Sequence, residues 1–591
     1  MSPLTRHRTS RTQTDFKASD SPQTETMISP LPRFVFLILL GVSALSASGA
    51  VTTLQTTANH VVEWSLTSVR DRTDPFAEVD LDAVVRDAAG REQRLPGYWA
   101  GGRTWRFRFA ATPGSYSFQT VSSDPADSGL HAQSGTITVA VPSTEKNPLL
   151  RHGPLQLSAD RRHFAHADGT PFFWLADSWW FGMSSRLRFP DEFGLLVRDR
   201  VAKGFSVIGF AIAFPCDIAP FDPRGANEAG HAWTNGFGTI NPAYFDRVDL
   251  RMRALVDAGL VPNIVGAWGY YLPAMGVEKM KRHWRYLIAR YGAFPVVWTV
   301  AGESTLVYYD LKAGTPEHAA AREAQVQGWS EVARSLRATD PFHRLLTVHP
   351  GPESGRFQPI ADMSQLDFIF LQPGHADWET LPLALDHQAR ARREFPRQPS
   401  LMGEVCFEGM HGGGSGPKIQ RYLFWSTVLS GAPGFSYGTD TTWQFNRRGE
   451  PFGPSPHGMA WGNTPWEEGY RWAGSEHVGL GRKIVATFEW WRMEPHPEWL
   501  TVAATPKDVM KPFCAGIPGR LRVVYLPKGQ PRWGQPFKVR GLETGLRYTA
   551  RYIDPITGRV EPSVEVTSVN GEWPLPYPPI LQDWVLILEA T

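Results

Sequence analysis

Only three cysteines occur in the 591 residues, Cys216, Cys406 and Cys514, far apart and in no Cys-x-x-Cys pattern. So sparse and odd a set excludes a disulfide framework and zinc-finger spacing. Excess charge is missing as well: 60 Lys and Arg stand against 58 Asp and Glu, a formal net charge of +2. No clustered basic face is set up, so no nucleic-acid partner is expected. No Gly-x-Gly-x-x-Gly follows the first central strand and no Gly-x-x-x-x-Gly-Lys-Ser/Thr occurs, which removes nucleotide as a partner. The histidines lack His-x-His and His-Glu-x-x-His spacing, and no Gly-x-Ser-x-Gly elbow follows a strand. Neither a metal hydrolase nor an acyl-transfer enzyme is supported, and no cofactor or metal is expected; His411-Gly412-Gly413-Gly414 reads as a flexible loop.

A membrane-spanning helix needs about 20 apolar residues. The apolar run Phe34 to Ala44 is shorter, follows Arg33 and leads into Leu45-Ser46-Ala47-Ser48-Gly49-Ala50. A basic residue, a short apolar run and a small-residue site make a secretory signal. The expectation is an exported protein, periplasmic or extracellular, cleaved near Ala50; the alternative is an uncleaved signal acting as an anchor. The 26 residues before Met27 are polar and carry Arg6, Arg8 and Arg11, so Met27 is read as the natural initiator.

What is abundant is aromatic surface, 12% of residues including 23 Trp, in a chain too long for one core. Flat rings suit the apolar faces of sugars, although most such rings fill cores. Residues 51–143 read as short alternating strands: Trp105, Phe107 and Phe109 alternate with Arg106 and Arg108, and Pro113-Gly114 turns before Tyr116 and Phe118. That pattern predicts an immunoglobulin-like β-sandwich.

From 147 to 483 the texture becomes strand, loop, helix, repeated. Asn241-Pro242 offers a helix start, apolar residues recur at Phe245, Val248, Met252, Leu255 and Val256, and Gly259 closes the helix. Eight strands are expected near Phe172–Ala176, Phe205–Ala213, Leu260–Ala267, Pro295–Ala301, Leu345–His349, Phe368–Gln372, Ser400–Gly403 and Gly434–Tyr437. Eight β-to-α units predict an α/β (β/α)8 TIM barrel, and residues 484–591 return to short strands as an antiparallel β-domain.

Active sites of such barrels lie where the strands end. Strand four runs Pro295 to Ala301 and then Gly302-Glu303; strand seven runs Ser400 to Met402 and then Gly403-Glu404. The two glutamates are 101 residues apart (404 minus 303), the length of three β-to-α units. Glycosidic cleavage needs one carboxylic acid to protonate the departing oxygen and a second carboxylate to attack carbon or activate water. The preceding glycines are expected to let the backbone turn sharply.

Other strand-end residues are candidates for holding a sugar: Asp177 with Trp179 and Trp180, then Trp268, Tyr270 and Tyr271, then His349, Gln372 and His375. Glu408, four residues beyond Glu404, rivals it as nucleophile. The alternative to an enzyme is a non-catalytic carbohydrate-binding or adhesion protein, which would not need both glutamates.

Phe172-Phe173-Trp174-Leu175-Ala176-Asp177-Ser178-Trp179-Trp180, Val296-Val297-Trp298 before Gly302-Glu303, and Gly403-Glu404-Val405-Cys406-Phe407-Glu408-Gly409 together resemble the apiosidase-like glycoside hydrolases. That family joins a β-sandwich, a barrel and a C-terminal β-domain carrying a collagen-binding label. The resemblance implies Glu303 as acid/base and Glu404 as nucleophile of a retaining enzyme acting on poly- or oligosaccharide. One departure is that the family's strand-four carboxylate is often an aspartate in a Gly-Gly-Asp context, where Ala301-Gly302-Glu303 stands here.

Overall fold

Apolar strands buried on both faces organise the centre of the chain. In the computed structural model, which describes residues 52–351, 358–529 and 536–591, eight parallel strands form where the sequence predicts them. They are β1 (Trp174–Ser178), β2 (Val207–Ala211), β3 (Val261–Val265), β4 (Val297–Thr299), β5 (Leu346–Thr347), β6 (Ile369–Leu371), β7 (Ser400–Met402) and β8 (Gly434–Tyr437). Every residue of these strands is buried, as parallel strands covered by helices require. The expected signal and start site lie outside the described residues.

The pairing differs from one closed ladder. Six strands join in the order β5-β4-β3-β2-β1-β8, while β6 and β7 form a separate parallel pair. Beside β5 the reason is local: the Asp367 carboxylate accepts the Leu346 N–H at 2.9 Å, taking a donor that a β6 carbonyl would otherwise receive. Backbone bonds span both gaps: Asp367 N–H to Leu346 O at 2.8 Å on one side, and Glu408 N–H to Gly438 O and Asp440 N–H to Glu408 O, each at 2.9 Å, on the other.

Helices follow most strands: α1 (Asp191–Lys203), α2 (Pro242–Asp257), α3 (Val277–Tyr291), α4 (Pro316–Thr339), α5 (Leu381–Glu394), α6 (Pro417–Leu429) and α7 (Ala473–Val485). Between β5 and β6 the described residues hold only the 3-10 turn Met363–Gln365, so the fifth unit departs from the expected repeat. In α2 the proline start and the Gly259 stop are present, but Asn241 does not cap the helix. Its amide donates instead to Ala229 O and His231 O, tying down the preceding loop.

Residues 52–140 build a five-stranded and a three-stranded sheet enclosing Trp64, Leu81, Phe107, Phe118 and Ile137. From 494 on, a six-stranded sheet and a two-stranded one form, with Val524, Leu586, Leu588 and Trp584 in a further core. Residues 51–591 make one compact unit. A buried arginine pins each flanking sheet region to a helix of the central one. Arg108, on Thr104–Phe109, is 2% exposed; it donates to Glu63 at 2.7 Å, to the Arg290 carbonyl of α3 at 2.7 Å, and to Asp249 of α2. Arg290 donates to the same Asp249 at 3.0 Å. Arg421 of α6 grips Asp583 through two 2.8 Å bonds.

Two guanidiniums hold the Asp249 carboxyl far below the usual carboxylate range, overcoming the burial that opposes ionisation. Removing that carboxylate leaves two buried cations without their common partner. Asp249→Ala is expected to cost about 3–5 kcal/mol, read as a lower urea midpoint by tryptophan fluorescence; an unchanged midpoint would show that the junction carries no such energy.

Candidate active site

The ends of β4, β6 and β7 bring two acids to one amide. Past β4 the ladder continues as a parallel bridge between Trp268 and Gly302, with Gly302 N–H bonded to Ala267 O at 2.9 Å. This sets the Trp268 indole beside the next residue, Glu303, whose Oε2 accepts from Trp268 Nε1 at 2.8 Å. Past β7, Glu404 N–H donates to Leu371 O of β6, which places Glu404 next to Gln372. The Gln372 side-chain nitrogen then donates to Glu303 Oε1 at 2.8 Å and to Glu404 Oε1 at 3.2 Å. Glu303 and Glu404, expected to converge, share one donor.

The preceding glycines act differently from expectation. Neither Gly302 nor Gly403 is left-handed; the left-handed residue is Glu303 itself, at φ +40°. What the glycines supply is room. A Cβ on Gly302 would stand 2.2 Å from the Trp268 ring, and one on Gly403 would stand 1.8 Å from Phe370. Gly302→Ala must therefore push Trp268 off Glu303, and kcat/KM is expected to fall by up to about tenfold, the order of one lost hydrogen bond.

Around the acids the bed is aromatic. Trp180 donates to Glu404 Oε2 at 3.2 Å and meets Trp268 edge-on at 5.3 Å. His349, wholly buried between these two indoles, holds Nε2 3.9 Å from Glu404. Burial drives its pKa down to about 4, against the opposing Glu404 charge and a hydrogen bond with the Gln372 side chain, so the ring is neutral. His375 accepts the Phe407 N–H on Nδ1 at 3.2 Å, which leaves the proton on Nε2 to be donated to Glu404 at 3.1 Å.

The remaining candidates are structural. Asp177 is 0% exposed, and its oxygens are taken by Arg200 at 2.6 Å, Trp179 Nε1 at 2.6 Å and the Ser178 N–H at 3.0 Å. It neutralises the buried Arg200 and, with no exposed surface, is out of reach of a sugar. Trp179 packs against Phe193 and Phe445 in the core. Tyr270 is buried, with its hydroxyl on Ile218 O at 2.8 Å and its ring stacked on Tyr271 at 4.7 Å, so that pair packs a loop and forms no open platform. Glu408 points away, accepting from Tyr437 at 2.5 Å and from the Gly474 N–H at 3.2 Å; its pKa is raised by burial. The rival nucleophile thus lies outside the cluster.

One acid at the same mouth went unread in the sequence. Asp217, beyond β2, accepts from Tyr309 at 2.7 Å and lies 3.8 Å from His457. The available signal was its position just beyond the apolar run Phe205–Ala213, where strand two ends.

Burial, then the Glu404 charge, raises the Glu303 pKa from 4.5 to about 8. Paired carboxylates with an acid kept protonated at neutral pH, at the ends of parallel strands, define the class as glycoside hydrolase. Residues 158–492, more than half the chain, match the profile described as the apiosidase-like catalytic domain, and the chain belongs to that family. Residues 55–123 match a domain of unknown function. No curated protein matches.

Solved structures share the fold. One glycoside hydrolase aligns with 76% of this chain and 99% of its own at 20% identity and TM-score 0.61. A family 5 glycoside hydrolase from Bacteroides vulgatus ATCC 8482 aligns over 75% and 94% at 19% identity and TM-score 0.59. A provisionally assigned glycoside hydrolase from the same organism aligns over 91% and 100% at 18% identity and TM-score 0.66.

The raised acid predicts the pH behaviour. A general acid acts in its protonated form, so with Glu303 in that role kcat/KM is expected to decline as pH rises through about 8. Because the folded value lies above the unfolded 4.5, folding binds a proton, and stability is expected to fall between pH 4.5 and 8 as Glu303 comes under pressure to ionise. Glu303→Gln should abolish both slopes; melting curves across that range check the second.

Proposed function

We propose that the eight parallel strands close into a (β/α)8 barrel and that the chain cleaves O-glycosidic bonds with retention, Glu303 as acid/base and Glu404 as nucleophile. Closure is supported by the shared core at the strand starts, where Trp174, Val207, Val261, Val297, Leu345, Phe368 and Leu401 pack together. The mechanism rests on the doubly donating Gln372. The two acceptor oxygens cannot lie further apart than its two bonds end to end, 6.0 Å. With amide N–H bonds diverging by roughly 120°, they stand roughly 5 Å apart. Retaining sites hold their carboxyl groups about 5–5.5 Å apart and inverting ones about 6.5–9.5 Å.

In the first step a Glu404 oxygen bonds to the anomeric carbon as the bond to the departing oxygen breaks and the Glu303 proton passes to that oxygen. In the second, Glu303 takes a proton from water, the water oxygen bonds to the same carbon, and Glu404 leaves. Two inversions give net retention. Trp180 and His375 steady the Glu404 oxygens through donated hydrogen bonds. The substrate we infer is a poly- or oligosaccharide, and the Arg33 to Ala50 segment supports export to the periplasm or the cell exterior.

Turnover is to be measured on a panel of nitrophenyl glycosides and complex glycans. Glu404→Gln and Glu303→Gln are each expected to lower kcat/KM by roughly 10²–10⁴-fold, and azide should rescue Glu303→Gln as a glycosyl azide of retained configuration. Product of inverted configuration by NMR would end the retaining proposal. Glycan binding with no turnover of any substrate would favour a carbohydrate-binding protein instead.

A further inference from the structure

Three carboxylates face this mouth, and none has a cation beside it. The partners of Glu303 are an indole and an amide; those of Glu404 are an indole, an amide and two imidazoles; those of Asp217 are a phenol, an imidazole and the Trp461 indole. Neither arginine nor lysine pairs with any of them among the described residues. Elsewhere the protein neutralises buried acids with arginine, as at Asp177, Asp249 and Asp583.

Asp217 is built for contact. Its backbone is held left-handed at φ +53°, a conformation rarely adopted by residues other than glycine and aspartate or asparagine. The Tyr309 hydroxyl donates to Oδ1 at 2.7 Å, while the side chain keeps 15% of its surface open. Tyr309 is fixed in turn by the His457 ring, edge-on at 4.5 Å, and His457 faces the half-buried Trp461 ring at 6.2 Å. The Trp461 side chain is hydrogen-bonded to Asp217 as well. A carboxylate that keeps part of its surface open beside aromatic rings is what a polyol requires. Asp217 follows β2 and is bonded to Tyr309, six residues past Glu303, which brings it to the strand ends that carry the other acids; burial first, and the Glu404 charge after it, raise its pKa.

We propose that Asp217 is a substrate-contacting specificity residue: it accepts hydrogen bonds from hydroxyls of the glycosyl unit being cleaved, and the cation-free trio of acids restricts that unit to uncharged sugars. The assignment rests on the glycosidase reading of Glu303 and Glu404. A uronic acid carboxylate would meet three acids and no cation, whereas a neutral diol supplies the donors that Asp217 lacks.

The test uses full-length protein and the Glu404→Gln background, so that binding is read without turnover. Calorimetry is run with 4-nitrophenyl glycosides of neutral hexoses and pentoses and with the glucuronide and galacturonide. At least one neutral glycoside is expected to bind and the uronides at least tenfold more weakly. Adding Asp217→Asn should weaken the neutral ligand at least tenfold, and Tyr309→Phe by a smaller factor; melting temperatures near that of the parent show that both variants fold. In the otherwise native enzyme Asp217→Asn should raise KM more than it lowers kcat. Equal binding of a uronide, no binding of any neutral glycoside, or an Asp217→Asn variant within twofold of its parent would overturn the assignment. Unchanged turnover by Glu404→Gln would instead sink the glycosidase reading while leaving the binding comparison intact.

Discussion

The Gln372 amide donates to Glu303 and to Glu404 at once, and the chemistry of the site depends on that shared donor. Two ionised acids in a dry aromatic bed repel each other strongly, and an arginine between them would hold both ionised. A neutral amide orients both oxygens without supplying charge. The repulsion therefore remains and is relieved by keeping a proton on Glu303. The same economy of cations extends to Asp217, so that the mouth holds acids poised against one another.

Holding that arrangement requires rigid surroundings. The indoles of Trp180 and Trp268 carry the second oxygen of each acid, and they reach it because glycine at 302 and 403 leaves space for the Trp268 and Phe370 rings. Behind them, arginine–aspartate contacts at Asp249 and Asp583 fasten the flanking sheet regions to α2, α3 and α6. Arginines thus sit on these structural aspartates, while among the described residues none pairs with Glu303 or Glu404.

Much of this was legible in the chain itself. Eight apolar runs marked eight parallel strands because strands buried on both faces cannot alternate with polar residues, and the two Gly-Glu pairs were visible because they end such runs. Trp180, Trp268, His349, Gln372 and His375 were reachable by the same rule, since a residue just past a parallel strand faces the mouth. The rule failed at Asp177, Trp179, Tyr270 and Glu408, which also follow strands. Side-chain direction there is set by partners distant in sequence: Arg200 claims Asp177, Tyr437 claims Glu408 and Ile218 claims Tyr270.

The sequence by itself determined the succession of strands and helices and placed Glu303 and Glu404 just past two of those strands, because periodicity and strand-end position are local properties. Only the tertiary structure decided which acids share a donor, which strand-end residues turn into the core, and that Asp217 joins the pair from another strand. Those outcomes depend on distances between side chains tens to hundreds of positions apart, and a hydrogen bond such as that from Gln372 to Glu303 exists only once β4, β6 and β7 lie side by side.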